Sequence, residues 1–135
     1  MNATSTPSPA NIEAEQALLG SLLIDRAAIA RIADSLPYTA FSDKKHEVIY
    51  RAVRKLWDDR TPVDFVTLTN FLDHHNMLDR VGGNAYVSSL MAAMPTAVHI
   101  EYYRDIINAH AMSRALSQKC LQVAQKLAQT LAPKP

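Results

Sequence analysis

The spacing of apolar residues along the chain predicts a protein built from helices. Apolar positions recur three and four residues apart in successive segments, and most glycines and prolines fall between those segments. This periodicity is typical of amphipathic helices, whereas a half-buried strand alternates every second residue. We therefore expect an all-α fold, in which a compact multi-helix globular head is followed by one long C-terminal helix.

The first apolar run predicts a helix from about Ile12 to Ile24. Asn11 is a suitable N-cap for this helix. Its apolar stripe consists of Leu18, Leu19, Leu22 and Leu23. A short second helix is expected after Asp25 and should end before Pro37, because proline cannot continue a helix.

A third helix should begin after Ser42 or Asp43 and extend to about Asp59. Its inward-facing positions are Val48, Ile49, Ala52, Val53, Leu56 and Trp57. On the opposite face, charged residues four apart form the potential pairs Glu47–Arg51, Arg54–Asp58 and Lys55–Asp59. This pattern predicts that the Trp57 ring is substantially buried.

Two more helices are expected before the last one. Asp64 is suited to cap a fourth helix, and Gly82-Gly83 marks the turn into a fifth. Pro95 should end the fifth helix.

The last helix is long for a chain of this size. No glycine or proline interrupts residues 100–131, which would span roughly 48 Å at about 1.5 Å per residue. A compact body of about 100 residues has a radius of gyration near 13 Å. The helix must therefore either project beyond the head or break.

The apolar stripe of this helix changes side along its length. The proximal stripe consists of Ile100, Tyr103, Ile107 and Ala111, and the distal stripe of Met112, Leu116, Cys120, Val123 and Leu127. The nine-residue step from Ile107 to Leu116 corresponds to about half a turn. The proximal stripe can pack on the head, so we predict that the distal stripe serves self-association.

These patterns divide the chain into four parts. Residues 1–10 carry no charged side chain and are expected to form a flexible leader. Residues 11–98 should form the helical head and residues 99–131 the long helix. Residues 132–135 form a short tail.

Composition and charge exclude several classes of protein. The 135 residues suffice for one domain, and 48% of them are hydrophobic, so the chain can bury a core. A net charge of +1 argues against a strongly basic nucleic-acid binder. The single cysteine, Cys120, excludes a disulfide framework and a thiolate zinc site. With no signal peptide and no uninterrupted apolar run of about 18 residues, we expect a cytoplasmic protein without membrane contact.

The sequence offers little catalytic chemistry. It has no phosphate-binding loop, dinucleotide-binding motif or zinc-protease motif, so we expect no catalytic, cofactor-binding or metal-binding residues. The triplet Asp73-His74-His75 resembles part of a phosphoesterase metal motif, which makes a metal-dependent hydrolase one alternative. However, adjacent histidines on a helix point about 100° apart and chelate poorly, so two exposed histidines are the favoured interpretation.

A basic third helix leaves a nucleic-acid alternative open. Residues 44–60 have a net charge of +3, and possible phosphate contacts are Lys44, Arg51, Arg54 and Lys55. The chain would then be a small helical nucleic-acid-binding module. Because carboxylates stand four residues from most of these cations, a solvated face with internal ion pairs is favoured.

Several segments, read together, resemble a known family. They are Asn11 to Gln16 with Leu19-Gly20, Phe41 with His46 to Tyr50, Pro62-Val63-Asp64, Gly82 to Tyr86, and Pro95-Thr96-Ala97 with Tyr103 to Ile107 and Arg114. In this order they resemble the N-terminal domain of DnaB-type replicative DNA helicases. Two positions depart from the family pattern, since Ser8 stands where a second proline is usual and Ser42 where an aromatic residue is common.

The resemblance implies a role in DNA replication and the primosome. The family's heads form a ring-shaped collar on a hexamer, and pairs of heads join through helical hairpins, of which residues 99–131 would be the first helix. Primase and helicase-loading factors dock on this collar. ATP and Mg²⁺ belong to a motor domain that this sequence lacks, as it lacks the returning hairpin helix. We therefore expect a fragment or truncated product, bacterial or phage-encoded, that is a non-catalytic assembly and docking domain and not itself an enzyme, with DNA contacted mainly by the motor.

Overall fold

A computed structural model describes residues 11–93 and 97–132, and in these ranges the chain forms helices and no strand. The α-helices are α1 (Ile12–Ile24), α2 (Ala28–Ile32), α3 (Lys44–Asp58), α4 (Phe65–His74), α5 (Gly83–Ala92) and α6 (Ile100–Leu131). Single 3₁₀ turns occur at Tyr38–Ala40, Asp79–Val81 and Ala97–His99. The all-α prediction is confirmed. The expected leader (1–10), Pro95 and the end of the tail lie outside the described residues.

Helix α1 lies at the centre of the head. Its segment Ala17 to Leu23 is apolar on nearly every side, and Leu18, Leu19 and Leu22 are at most 1% exposed. A helix that is hydrophobic all round must be surrounded by other elements. Here α3, α5 and α6 pack around it. None of the helices in the described ranges has the length and hydrophobicity needed to cross a membrane.

Local capping interactions define where the helices begin. The Asn11 side chain accepts a hydrogen bond from the Ala14 backbone N–H at 3.0 Å, as predicted. Asp43, one of the two residues expected to open the third helix, caps α3. Asp64 and Thr67 form a reciprocal capping box at the start of α4, and the hydrogen bond from the Thr67 backbone N–H lowers the pKa of the Asp64 carboxyl.

The turn into α5 requires glycine at its first position. Gly82 has φ +97°, which side chains rarely adopt, and a Cβ there would lie 2.7 Å from Cβ of Tyr86. The predicted Gly82-Gly83 turn is thus confirmed, and it brings α5 close against the preceding 3₁₀ turn.

The second helix is shorter than predicted. It ends at Ile32 rather than just before Pro37. After Ile32 the chain tightens into a turn, because the Ser35 backbone N–H bonds the Ile32 carbonyl three residues back, and side chains of other helices bind the carbonyls of this turn. Arg54 donates to the Ala33 carbonyl at 2.9 Å, Asn108 to the Ser35 carbonyl at 2.9 Å, and Tyr50 to the Leu36 carbonyl at 2.8 Å. These hydrogen bonds satisfy carbonyls that have no partner within the helix.

The prediction for Trp57 was wrong. Its ring lies at the surface with 37% of the residue exposed, while Leu56 and Val63 fill the core nearby. Trp57 lies on the rim of a shallow groove beside Arg26 and Pro62. The helical spacing places Trp57 at the edge of the inward face, and the smaller side chains of Leu56 and Val63 already fill the core beside it.

A buried polar cluster connects three helices inside the head. His46 of α3 is fully buried, and its Nδ1 lies 2.7 Å from Oε1 of Glu15 on α1. Its Nε2 forms a short hydrogen bond with the hydroxyl of Tyr86 on α5. Ser42 donates to Oε2 of Glu15 from its hydroxyl at 2.6 Å and from its backbone N–H at 2.8 Å. Burial raises the pKa of the Glu15 carboxyl, but the hydrogen bonds from His46 and Ser42 outweigh it, so the pKa is lowered.

We expect Ile49→Ala to destabilise the protein far more than Trp57→Ala. Ile49 is completely buried, and removing its side chain should cost about 2–5 kcal/mol because a cavity remains. Trp57→Ala should cost less than half as much, since much of the ring already contacts solvent. Urea unfolding followed by circular dichroism measures both. Equal costs would show that the Trp57 ring belongs to the core.

We expect the Glu15 cluster to make stability depend on acid pH. Because the pKa of Glu15 is lower in the folded protein than its ordinary value of 4.5, its ionised form stabilises the fold. That stabilisation is present above about pH 4.5 and is lost as the pH falls through the lower, folded-state pKa. Glu15→Gln should lower stability by about 1–3 kcal/mol at pH 7 and reduce this acid-dependent loss.

The matched control is Glu13→Gln, because Glu13 lies two residues before Glu15 on the same helix and is exposed. It should leave the pH profile of unfolding unchanged. If Glu15→Gln and Glu13→Gln gave the same profile as the unmodified protein, the buried carboxylate would not be the source of the effect.

Candidate functional site

The first half of α6 is fixed to the head by packing and by hydrogen bonds. Ile100 and Ile107 of the proximal stripe are buried, as predicted. Arg31 of α2 forms an ion pair with Glu101, and its Nη1 also donates to the carbonyl of Ala97 at 2.9 Å. Further along, Arg114 donates to the carbonyl of Ala40 at 2.7 Å. This half of the helix is therefore part of the head.

The second half of α6 projects away from the head as an unbroken helix. Every residue from 115 to 132 is exposed, whereas the part of α6 before this range contains the buried Ile100 and Ile107 and several partly buried residues. The sequence left open whether the helix projects or breaks, and the structure shows a projecting helix. Its apolar side chains are consequently left uncovered, with Leu116 59% and Val123 53% exposed.

The five distal-stripe residues lie on one side of this projecting helix. Leu116, Cys120, Val123 and Leu127 line one shallow groove of about 340 Å³ together with Lys119 and Ala124, and Met112 lies one turn before them. Met112 and Leu116 are 67% and 59% exposed. A contiguous exposed apolar surface is typical of an interaction site. The structure thus brings the predicted residues together, while their role in self-association stays a prediction.

The four basic residues proposed for nucleic-acid contact lie on α3, and three of them are paired. Lys44 and Arg51 lie 3.5 and 3.8 Å from the Glu47 carboxylate, and Lys55 lies 3.3 Å from Asp59. Arg54 does not form the pair with Asp58 that the spacing suggested and instead donates to the Ala33 carbonyl. The helix therefore presents alternating charges rather than a row of unpaired cations.

The Asp73-His74-His75 triplet lies at the end of α4. All three residues are exposed, and the His75 Nδ1–H donates to the Phe71 carbonyl at 2.9 Å. The structure groups no three potential metal-ligating side chains anywhere in the ranges 11–93 and 97–132. The triplet therefore lacks the further ligands that a phosphoesterase centre needs.

Sequence reasoning missed the Glu15–His46–Tyr86 cluster, although a signal for it exists. Glu15 precedes Leu18, Leu19 and Leu22 by three, four and seven residues, which is the spacing of one helical face. His46 has the same relation to Ile49, Tyr50 and Val53 on α3. A polar residue in phase with an apolar stripe is expected to be buried, and buried charges require a partner.

Comparison with known proteins identifies relatives of this architecture. Residues 7–109 match the family described as the DnaB-like helicase N terminal domain. The replicative DNA helicase DnaC of Bacillus subtilis is 37% identical over 117 residues, or 87% of this chain. The replicative DNA helicase DnaB of Treponema pallidum is 39% identical over 108 residues, or 80% of this chain.

A solved structure has the same fold. The N-terminal domain of DnaB helicase from Mycobacterium tuberculosis superposes with a TM-score of 0.87 at 31% sequence identity, covering 94% of this chain and 91% of that one. The chain spans about a quarter of the length of the curated relatives, 26% for the Bacillus protein and 25% for the Treponema protein. From the matched family, the identity and the shared fold we conclude that the chain belongs to the DnaB-like helicase N-terminal domain family.

Proposed function

We propose that this chain is a non-catalytic assembly and partner-docking domain of a replicative DNA helicase. The observation that carries the proposal is the projecting half of α6, whose apolar side has no cover within the described ranges. In this proposal the helix, residues 99–131, serves assembly, and the head, residues 11–98, serves docking.

The energetics of the distal stripe favour association with a second copy of the chain. Burying a leucine side chain stabilises by about 1.5–3 kcal/mol, and a helix standing alone in water is marginal. Leu116 and Val123 are seven residues apart, as are Cys120 and Leu127. This heptad spacing suits side-by-side helix packing, and two identical stripes complement each other around a two-fold axis.

In this proposal, the enzymatic activity of a replicative helicase lies outside this chain. We propose that ATP hydrolysis, Mg²⁺ binding and DNA unwinding belong to the parts of the relatives that this chain does not match. Within the replisome, the domain would contribute to a hexamer and dock primase or a helicase loader. The cytoplasmic location expected from the sequence stays a prediction.

Direct nucleic-acid binding by α3 is less well supported. The carboxylates of Glu47 and Asp59 lie within 4 Å of Arg51 and Lys55, respectively. A phosphate backbone that approached these cations would also approach the carboxylates, which opposes binding.

We expect the chain to associate in solution through the distal stripe. Leu116→Asp places a charge in the middle of the stripe, so it should weaken self-association by about tenfold or more, because burying an unpaired carboxylate is unfavourable. Sedimentation equilibrium over a range of protein concentrations measures this change. The control is Gln125→Asp, which is exposed and lies half a turn from Leu116 around the same helix, so it should leave the association constant unchanged. A monomer at every concentration would contradict the proposal.

We also expect association to protect the Cys120 thiol. Cys120 is exposed and is the single cysteine of the chain, so a maleimide dye reports on the stripe alone. Its labelling rate should fall as protein concentration rises through the range in which dimers form. Leu116→Asp should keep the fast rate at all concentrations. A constant rate in associating protein would place the contact on another surface.

A further inference from the structure

The buried cluster around His46 is a chain of hydrogen bonds that leads from the interior of the head to its surface. Nδ1 of His46 lies 2.7 Å from Oε1 of Glu15, and Nε2 lies within hydrogen-bond distance of the Tyr86 hydroxyl. The same hydroxyl accepts a hydrogen bond from Nε2 of Gln16 at 3.3 Å. His46 is fully buried, whereas Tyr86 and Gln16 are partly exposed. The chain of hydrogen bonds therefore connects a buried titratable ring with two side chains that reach the surface.

The chemistry of Glu15 fixes the direction of these hydrogen bonds when His46 is neutral. A neutral imidazole has one N–H donor and one acceptor nitrogen. The pKa of the Glu15 carboxyl lies below its ordinary value of 4.5, so at neutral pH this group is ionised and only accepts hydrogen bonds. Nδ1 of His46 must then carry the proton, and Nε2 accepts from the Tyr86 hydroxyl. Because the Tyr86 oxygen in turn accepts from Gln16, each of these groups has a partner.

The groups that face the imidazole come from α1, α3 and α5 and from the residues just before α3. Glu15 is the carboxylate in contact with the ring, and it also accepts from the hydroxyl and backbone N–H of Ser42. Asp43 directs its carboxylate to the Lys45 backbone N–H, 3.0 Å away. Lys45 itself lies over the Tyr86 ring, with Nζ 4.3 Å from the ring centroid. A second proton on the imidazole would therefore form an ion pair with Glu15, while Nε2 would need an acceptor.

Protonation of His46 reverses the hydrogen bonds between the imidazole and the surface. Nε2 then carries a proton and donates to the Tyr86 oxygen, so the Tyr86 hydroxyl has to donate elsewhere. The Gln16 amide is already in contact with this hydroxyl, and a half-turn of the amide replaces its N–H donor by its carbonyl acceptor. Each group keeps a partner in both states. What changes is the end of the Gln16 amide that points toward Tyr86.

Gln16 lines a surface groove, so this reversal reaches the surface of the head. The groove has a volume of about 420 Å³, and its lining includes Gln16 of α1 and Tyr103 and Ile106 of α6. While Nε2 of Gln16 is bound to Tyr86, the amide oxygen is the end that is turned away from Tyr86. After the half-turn, the N–H groups take that place. The groove thus exchanges a hydrogen-bond acceptor for donors when His46 becomes charged.

We propose that His46 is a pH-sensitive switch whose charge is transmitted through Tyr86 to the Gln16 amide at this groove. Imidazole is the side chain whose charge ordinarily changes between about pH 5 and 8. This range lies above the one in which Glu15 loses its charge, so the switch is separate from the acid-dependent loss of stability expected for Glu15. The switch lies in the head and does not require the distal stripe to associate.

Nuclear magnetic resonance spectroscopy of the full 135-residue chain, labelled with a nitrogen isotope, tests each step. The ring-nitrogen shifts of His46 report which nitrogen carries a proton. At about pH 8 we expect a protonated Nδ1 and an unprotonated Nε2, and on titration to about pH 5 a large upfield shift of Nε2 as it gains a proton. The side-chain N–H signals of Gln16 should shift with the same midpoint. Circular dichroism at each pH verifies that the chain stays folded.

Tyr86→Phe removes the hydroxyl that links His46 to Gln16 and keeps the ring. In this variant His46 should still change charge, but the Gln16 signals should no longer follow it. Tyr103→Phe is the matched control, because it removes a hydroxyl from the same groove and Tyr103 takes no part in the chain of hydrogen bonds. The control should leave the shared midpoint unchanged.

Three results on the unmodified chain would overturn the proposal. They are a protonated Nε2 at about pH 8, an imidazole whose charge does not change between about pH 5 and 8, and Gln16 signals that do not share its midpoint. These measurements decide the matter even where Tyr86→Phe fails to fold. A shared midpoint that persists in folded Tyr86→Phe, or that is lost equally in Tyr103→Phe, would also overturn it. None of these results depends on the sedimentation of the chain, so failure here and failure of self-association are distinguishable.

Discussion

The head depends on the burial of α1 on all of its sides. Every residue from Leu18 to Leu23 is buried, and successive residues of a helix point about 100° apart, so one helix cannot cover them and α3, α5 and α6 must surround α1 together. As a result, the first half of α6 forms one side of the core. The remainder of α6 is then too long to find any further surface on a head of this size. The exposed distal stripe is therefore a consequence of how α1 is enclosed.

The sequence predicted those parts of the fold that are decided within a few residues. Asn11, Asp43 and Asp64 cap their helices through bonds to backbone groups two or three positions away, so short-range patterns suffice. The end of α2 and the exposure of Trp57 depend on residues distant in the sequence. Arg54, Tyr50 and Asn108 hold the turn that follows α2, and no pattern around Ile32 indicates them.

The same distinction between short-range and long-range contacts separates the distal stripe from surfaces that several segments build together. The distal stripe follows from one helix and the spacing of its side chains, so periodicity alone located it. A surface groove beside α3 is lined by Tyr38, Val48, Phe71 and Met77, which come from separate segments, so no single pattern along the chain indicated it. Likewise, the cations of α3 could be counted from the sequence, but their pairing with Glu47 and Asp59 could be established only from side-chain geometry.

The hydrogen bond from Arg114 to the Ala40 carbonyl fixes α6 to the head just before the exposed half of the helix. Beyond it, the helix continues for roughly 26 Å to Leu131, so a small change of its angle at the head surface moves its end by a large distance. A tilt of about 10° at Arg114 displaces Leu131 by about 4.5 Å, nearly one helical pitch. The angle at which a few polar groups hold the first half of α6 therefore sets where the distal stripe lies relative to the head.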